Sequence, residues 1–242
     1  MERMNQAKTT IAALALVALF GLTATAQAGG MSFETMVMGD VNFTSDLENP
    51  KIINIAKFDT MGGTRTLLDV LVEVCHSGSV DMAGDNDDPF QGAVVRGRMI
   101  RQYMLSGGGV FDSGGNIVNT GDAVLGADDG DGGDNDIFDP TGPDGVDFGT
   151  LSYGPITNAS YFPGEALYAM DGGGTVSFTV TPVLMVNDQQ FVDPPGAPDA
   201  WQLEVENPLM NVKVKVTYTW VPEPGTAGLL AIGALALMRR RR

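Results

Sequence analysis

The aspartates of one glycine-rich stretch are the side chains with the clearest chemical potential in this 242-residue chain. Eight of them fall between residues 128 and 147, where few apolar side chains are available to form a core. Crowded carboxylates repel one another, and Ca²⁺ relieves that repulsion by taking about six to eight oxygen ligands. The stretch therefore predicts a calcium site with the candidate ligands Asp129, Asp131, Asp134, Asp136 and Asp139.

This aspartate-rich stretch fits no complete calcium-binding template. If Asp129 takes the first position of an EF-hand loop, Asp131 takes the third, but the fifth is Gly133 and no glutamate follows within the stretch. Residues 132–138 are similar to a single glycine-aspartate repeat of the parallel β-roll proteins with one residue missing, and one copy has no neighbour to stack on. A solvated acidic loop is the alternative interpretation.

Glutamates offer a second chemistry, because two suitably spaced carboxyl groups can hydrolyse a glycosidic bond. The candidates are Glu165, Glu204 and Glu206. The last two lie on one face of a predicted strand, close to Trp201, whose ring is suited to stacking on a sugar. The alternative interpretation is that Glu204 and Glu206 are surface residues of an edge strand without a catalytic role. Carbohydrate binding without catalysis uses the same side chains, and the analogy with other β-sandwiches favours it over hydrolysis.

The single histidine and the single cysteine, His76 and Cys75, are adjacent. Neighbouring side chains of a strand point to opposite faces, so they do not form a nucleophile pair. One histidine is too few for a zinc site of nitrogen and sulfur ligands, and no nucleophile-elbow motif supports a catalytic triad. Cys75 has no partner for an internal disulfide. We therefore expect a protein that is not an enzyme.

Both ends of the chain have the composition of targeting segments. Residues 1–28 predict a signal peptide: Arg3 and Lys8 precede an apolar run, and Ala26-Gln27-Ala28 is a site for signal peptidase. Near the other end, residues 225–238 form an apolar run that would make about 21 Å of helix, shorter than the roughly 30 Å hydrocarbon core of a membrane. The arginines that follow would stay on the cytoplasmic side and leave the body outside.

Residues 221–242 resemble the PEP-CTERM sorting signal over its whole length. The resemblance rests on a proline-glutamate-proline triplet, the short apolar helix and a terminal arginine cluster: Pro222, Glu223, Pro224, Arg239, Arg240, Arg241 and Arg242. It implies that an exosortase, an intramembrane transpeptidase-like enzyme, recognises the tail and cuts near the triplet. Transient insertion into the inner membrane would then be followed by delivery to the cell surface or the exterior, in association with exopolysaccharide or biofilm. An ordinary C-terminal membrane anchor is the alternative.

The triplet itself is predicted to be extended and without ladder partners. Pro222 and Pro224 fix the backbone and lack N–H donors, so they should separate the last strand from the apolar helix. We expect that strand to end at Trp220. An extended segment of this kind is accessible to a processing enzyme.

Residues 29–220 between these segments predict one extracellular all-β domain, an antiparallel β-sandwich of jelly-roll type, flanked by the signal helix and a short transmembrane helix. The clearest strand covers residues 175–181, where Val176, Phe178 and Val180 alternate with Ser and Thr. Residues 201–206 and 211–220 predict a hairpin around Asn207-Pro208. An acidic, glycine-rich loop is predicted over about residues 106–150.

Parts of this body resemble the choice-of-anchor E domain, a family of exported bacterial proteins that often end in PEP-CTERM tails. The resemblance lies in Phe58-Asp59, Gly63-Thr64 and the strand at residues 70–74, and again in residues 212–220. It assigns no chemistry.

The charge balance excludes nucleic acid as a partner. Without Glu2 and the six basic residues of the two ends, 8 basic and 29 acidic residues remain, a balance of −21. Such a surface repels phosphates and attracts cations.

Overall fold

Alternating apolar and polar side chains give rise to strands throughout the computed structural model, which describes residues 24–27, 30–128, 130, 138–193 and 200–223. The described part contains twelve strands and one short 3₁₀ helix, Glu165–Leu167. The strands in chain order are β1 Ala24–Gln27, β2 Gly30–Phe43, β3 Lys51–Ala56, β4 Phe58–Asp59, β5 Arg65–Asp85, β6 Ala93–Gly107, β7 Val110–Asn119, β8 Ala123–Leu125, β9 Gly145–Tyr161, β10 Ala169–Met170, β11 Thr175–Asp193 and β12 Gln202–Pro222.

These strands form two large antiparallel sheets. The first has the order β1-β2-β12-β5-β9 and the second the order β3-β11-β6-β7, with β8 paired to β6. A small parallel pair, β4 with β10, lies outside both sheets. The prediction of an all-β antiparallel fold is confirmed, and the chain passes repeatedly from one large sheet to the other.

The inner faces of the two sheets share one apolar core. From the first sheet, β12 contributes Val212, Val214 and Val216, and from the second, β11 contributes Val176, Phe178 and Val180, all of them buried. Each side chain of this size gains about 1.5–3 kcal/mol when it is fully removed from water. Two smaller apolar clusters continue the core toward the far end of the sandwich, around Val80 with Met99 and around Val95 with Leu125.

The predicted hairpin around Asn207-Pro208 is wrong. β12 is continuous through this dipeptide, and both of its halves pair with β5, with a register shift between Glu206 and Leu209. Asn207 has a φ of 50°, a left-handed conformation that asparagine tolerates better than most residues. A β-bulge also accommodates a proline that lacks a ladder donor. The strand therefore absorbs both turn residues without reversing direction.

The predicted acidic loop over residues 106–150 is shorter than expected. Strands β7 and β8 occupy much of its first half, and β9 begins at Gly145. Glycine usually indicates a loop, but Gly114 lies within β7, at a position that has no space for a side chain. A Cβ there would approach the Asn158 side chain and the Tyr103 hydroxyl at 2.9 Å. The acidic connection proper starts after β8.

The two predicted helices lie largely outside the described residues. Within the predicted signal peptide, Ala24–Gln27 forms strand β1 instead of helix, because it finds backbone partners along the edge of β2. The predicted transmembrane helix at residues 225–238 is outside the described part. No helix among the residues that the structure describes is long and apolar enough to cross a membrane.

Candidate functional site

Two acidic segments that are distant in sequence meet at one end of the sandwich. The N–H of Asp139 donates to Asp85 Oδ2 at 2.8 Å, and the N–H of Asp128 donates to the carbonyl oxygen of Asp88 at 2.9 Å. The N–H of Asn86 donates to the carbonyl oxygen of Asp144 at 3.2 Å. The turn that follows β5 therefore holds both ends of the aspartate-rich connection.

This acidic end is partly buried, which is unusual for carboxylates. Asp85, Asp88 and Asp144 are 4%, 5% and 2% exposed. Burial raises the pKa of Asp85, the N–H of Asp139 opposes that rise, and the charges of Asp144 and Asp87 add to it. The amide of Asn86 fixes the turn by donating to the carbonyl oxygens of Gln91 and Gly126, at 2.8 and 2.6 Å.

Of the predicted calcium ligands, Asp139 is the one that the structure describes. Its Oδ1 accepts hydrogen bonds from the N–H and the hydroxyl of Thr141, at 2.9 and 2.6 Å. Asp129, Asp131, Asp134 and Asp136 lie outside the described residues. Among the described residues, no group of three or more Asp, Glu, His or Cys side chains has the arrangement of a metal site. The run from Asp85 to Asp88 was visible in the sequence, but its approach to the later aspartates depends on the pairing of β5 with β9.

The predicted carbohydrate-active glutamates divide between two places. Glu204 and Glu206 line a groove of about 190 Å³ together with Asp81 and Asp147. Glu165 begins the short 3₁₀ helix and does not line that groove. Asp81 accepts hydrogen bonds from the Thr150 hydroxyl at 2.5 Å and from the Asn207 amide at 3.0 Å, which lower its pKa. Asp81 is therefore suited to carry charge and unsuited to donate a proton.

Trp201 is close in sequence to Glu204, which lines this groove, but the ring of Trp201 packs edge-on against Phe191, with centroids 5.4 Å apart. Its exposed fraction is 37%. A larger groove of about 680 Å³ lies along β6 and β7 of the second sheet. Polar Gln102, Ser113 and Asn116 line it beside Met104 and Ile117, two apolar side chains that are half exposed.

A buried polar network connects β6 and β7 of the second sheet to β9 of the first. Asp112 is 4% exposed and accepts three hydrogen bonds: from the hydroxyl of Tyr103 at 2.7 Å, from the amide of Asn158 at 2.7 Å and from the hydroxyl of Tyr161 at 2.9 Å. With its acceptors engaged by protein donors, Asp112 has a structural role.

His76 extends this network toward the second apolar cluster. Its Nδ1 is 3.1 Å from the Tyr153 hydroxyl, and its ring packs 5.2 Å from that of Tyr103. Burial lowers the pKa of His76, and the charge of Asp112 opposes this shift. Cys75 points to the other face, where its Sγ is 3.4 Å from the Thr157 hydroxyl. The expectation that the two side chains diverge agrees with this geometry.

The first two residues of the predicted sorting triplet lie at the end of β12 and directly after it. Pro222 pairs with Arg65, and the N–H of Glu223 donates to the carbonyl oxygen of Thr64 at 2.9 Å. The Thr66 hydroxyl donates to the carboxylate of Glu223. The predictions that the last strand ends at Trp220 and that the triplet has no ladder partners are wrong for these residues. The pairing of β12 with β2 ends at Trp220, so Pro222 pairs with β5 alone, and an edge of this kind tolerates a proline.

A family comparison concerns this same terminal region. The family model of the PEP-CTERM protein-sorting motif matches residues 221–242. The chain carries a PEP-CTERM motif. The motif indicates an exported protein that is sorted by an exosortase. No curated protein and no solved structure matches the chain. The resemblance of the body to the choice-of-anchor E domain has no support from a family match.

The PEP-CTERM triplet therefore begins within the folded sandwich. Pro222 is the last residue of β12 and Glu223 follows it directly, whereas Pro224 and the arginines lie outside the described residues, namely Arg239, Arg240, Arg241 and Arg242. There is no flexible linker between the core strand and the motif, because Tyr218, only four residues before Pro222, is already buried in the core.

Proposed function

We propose that the protein is a non-catalytic component of the cell surface or extracellular matrix, which an exosortase releases from a transient inner-membrane anchor. The observation that carries this proposal is the PEP-CTERM motif at residues 221–242, which begins at the end of the last strand of a folded β-domain. Signal peptidase would remove residues 1–28, and the apolar residues 225–238 would hold the chain in the membrane until it is cut.

The sorting proposal can be tested by disabling the triplet. In a host that contains an exosortase, the parent chain should reach the surface in a shortened form, and P222A/P224A should accumulate in the inner membrane with its C-terminal tail uncut. A matched control is P208A, which replaces a proline on the same strand outside the motif. Equal processing of the parent and P222A/P224A would contradict the proposal.

Association with extracellular polysaccharide is the second part of the proposal. The groove along β6 and β7 supports it, because amide and hydroxyl groups lie beside apolar side chains, and both classes of contact suit the faces and edges of sugar rings. Q102A/N116A should weaken retention on the producing cell's own polysaccharide, whereas N54A, on β3, should not. Unchanged retention of Q102A/N116A would remove the groove from the proposal.

A carbohydrate-active role remains the alternative function, and the acidic groove with Glu204 and Glu206 supports it. If the parent hydrolysed a glycan and the E204Q and E206Q variants did not, this result would favour an enzymatic function over a non-catalytic one. The lowered pKa of Asp81 does not favour it, because a glycosidase needs one carboxylic acid that holds its proton.

Calcium binding at the acidic end is a further candidate. The observation in its favour is the meeting of Asp85, Asp88 and Asp144 with both ends of the aspartate-rich connection, where burial, together with the charges of Asp144 and Asp87, raises the pKa of Asp85. Residues of the connection would complete the coordination. Calorimetry should show heat at millimolar Ca²⁺ for the parent and none for D131N/D139N, with D122N as the control. No heat and no thermal shift with the parent would refute the site.

A further inference from the structure

The sorting triplet is bound by the domain that it is meant to deliver. Glu223, its central residue, is held twice by the start of β5: its N–H donates to the carbonyl oxygen of Thr64 at 2.9 Å, and its carboxylate accepts a hydrogen bond from the Thr66 hydroxyl. Pro222 lies between these contacts, opposite Arg65. The backbone and the side chain of Glu223 are therefore both engaged.

The surface that receives Glu223 is itself held in place. The N–H of Arg65 donates to the carbonyl oxygen of Thr60 at 3.1 Å, which closes the turn before β5 and fixes the direction of the Thr64 carbonyl. On the other strand, the ring of Trp220 stacks on Phe33 with centroids 4.9 Å apart, and the Arg65 guanidinium lies 4.7 Å from the Trp220 ring centroid. Trp220, three residues before Glu223, and Arg65, between Thr64 and Thr66, are thus both held in place.

We propose that Thr64 and Thr66 form an intramolecular docking site for Glu223, which withholds the sorting triplet from the processing enzyme until the end of β12 separates from β5. The inference rests on the proposed sorting function. An enzyme that cuts near the triplet must take its backbone into its own site, and while Glu223 is docked this backbone is engaged by the domain, since Pro222 ends β12 and the N–H of Glu223 is bonded to Thr64. Thr64 and Thr66 are positioning residues in this scheme.

The docking slows processing without preventing it. The contact lies at the very end of a strand, where local opening requires far less free energy than global unfolding. When opening and closing are fast relative to cleavage, the rate of cleavage follows the population of the open form. Each contact to Glu223 therefore sets the fraction of time for which the triplet is available.

The test compares processing rates of the full chain in a host that contains its exosortase, by pulse-chase and gel shift. T66V removes the hydroxyl that binds Glu223 but keeps the β-branched shape that suits a strand. We expect T66V to be processed about three- to tenfold faster than the parent, the effect of losing one hydrogen bond. T66S, which restores the hydroxyl, should be processed at the parent's rate. The matched control T217V, on the outward face of β12, should also leave the rate unchanged.

A second readout does not depend on the exosortase. Hydrogen exchange of the full chain in detergent should show a protected Glu223 amide in the parent and faster exchange in T66V by a similar factor. An amide that exchanges at the unprotected rate in the parent would overturn the docking site. Equal or slower processing of T66V, with the parent processed normally, would overturn the withholding role alone. A parent chain that is never processed would contradict the sorting function and, with it, the withholding role, but not the docking measured by exchange.

Discussion

Replacement of Asp112 by alanine should destabilise the sandwich, because this buried carboxylate joins its two sheets. Asp112 receives hydrogen bonds from Tyr103, Asn158 and Tyr161, and these partners belong to β6 of one sheet and β9 of the other. The substitution would leave three donors without their acceptor, and the side chain of Tyr103, only 1% exposed, could not turn to water.

The size of the effect follows from the exposure of the three donors. A buried donor that loses its partner costs about 1–3 kcal/mol, and donors that can reach water cost less. With Tyr103 at the full cost and Asn158 and Tyr161 at a reduced cost, D112A should lower the free energy of unfolding by about 2–4 kcal/mol. D122A is the matched control, because Asp122 is 46% exposed and pairs with Arg96 at the surface, so that its loss should cost at most about 1 kcal/mol.

Urea denaturation of residues 29–223, followed by tryptophan fluorescence, would measure both variants. A Y103F variant and the double variant D112A/Y103F complete a double-mutant cycle. The double variant should lose less stability than the two single variants lose in sum, because both single changes remove the same hydrogen bond. If D112A lost no more than D122A, or if the losses of D112A and Y103F were additive, the reasoning about the network would be refuted.

Three further predictions concern the same domain. Because burial lowers the pKa of His76, the unfolded chain takes up a proton at a higher pH than the folded protein, so stability should fall as the pH drops below about 6.5, the unperturbed histidine pKa. Between about pH 7 and pH 5, on either side of that value, the melting temperature of H76Q should fall less than that of the parent. An equal fall in both proteins would contradict this. G114A should lose about 1–3 kcal/mol of stability because its Cβ would approach Tyr103 and Asn158, whereas a Cβ added at Gly121 would meet no neighbouring atom within 4 Å, so G121A should lose far less. Similar losses in the two variants, measured by urea denaturation, would contradict the packing argument. V214A should lower the free energy of unfolding by about 2–3 kcal/mol in the same assay. V124A, at a position that is 79% exposed, should change it by no more than about 0.5 kcal/mol. A loss in V214A as small as that in V124A would contradict the placement of Val214 in the core.

The parts of the fold that the sequence predicted are those that local pattern determines. Val176, Phe178 and Val180 alternate with polar residues, and they form the inward face of β11 as expected. The same holds for the second half of β12, where Val212, Val214 and Val216 are buried and Lys213 faces outward. Period-two alternation needs no knowledge of the partner strand, so it was sufficient for the fold class.

The errors fall where the partner strand decides the conformation. Asn207-Pro208 has the local signature of a turn, but β5 is long enough to pair on both sides of it, and the bulge is less costly than ending the pairing. Gly114 is typical of a loop residue in the sequence, whereas one of the side chains that leave no room for a Cβ there, Asn158, comes from the distant strand β9. Pairing between remote strands is not encoded in any single window of sequence.

The candidate sites show the same division. The PEP-CTERM motif is contiguous, and its residues could be read directly. The docking of Glu223 on Thr64 and Thr66 joins residues more than a hundred and fifty positions apart, and the convergence of Asp85 with Asp139 joins residues 54 positions apart. Neither contact leaves a signal in the sequence beyond the residue types themselves.

Mass spectrometry of the surface-exposed protein tests the central claim most directly. In cells with an exosortase, we expect the C-terminal peptide of the mature protein to end at or near Pro222-Glu223-Pro224 and residues 225–242 to be missing. In cells without the exosortase, the chain should retain Arg239 to Arg242 and stay in the inner membrane. A surface protein that still carries those arginines in the presence of the exosortase would contradict the account.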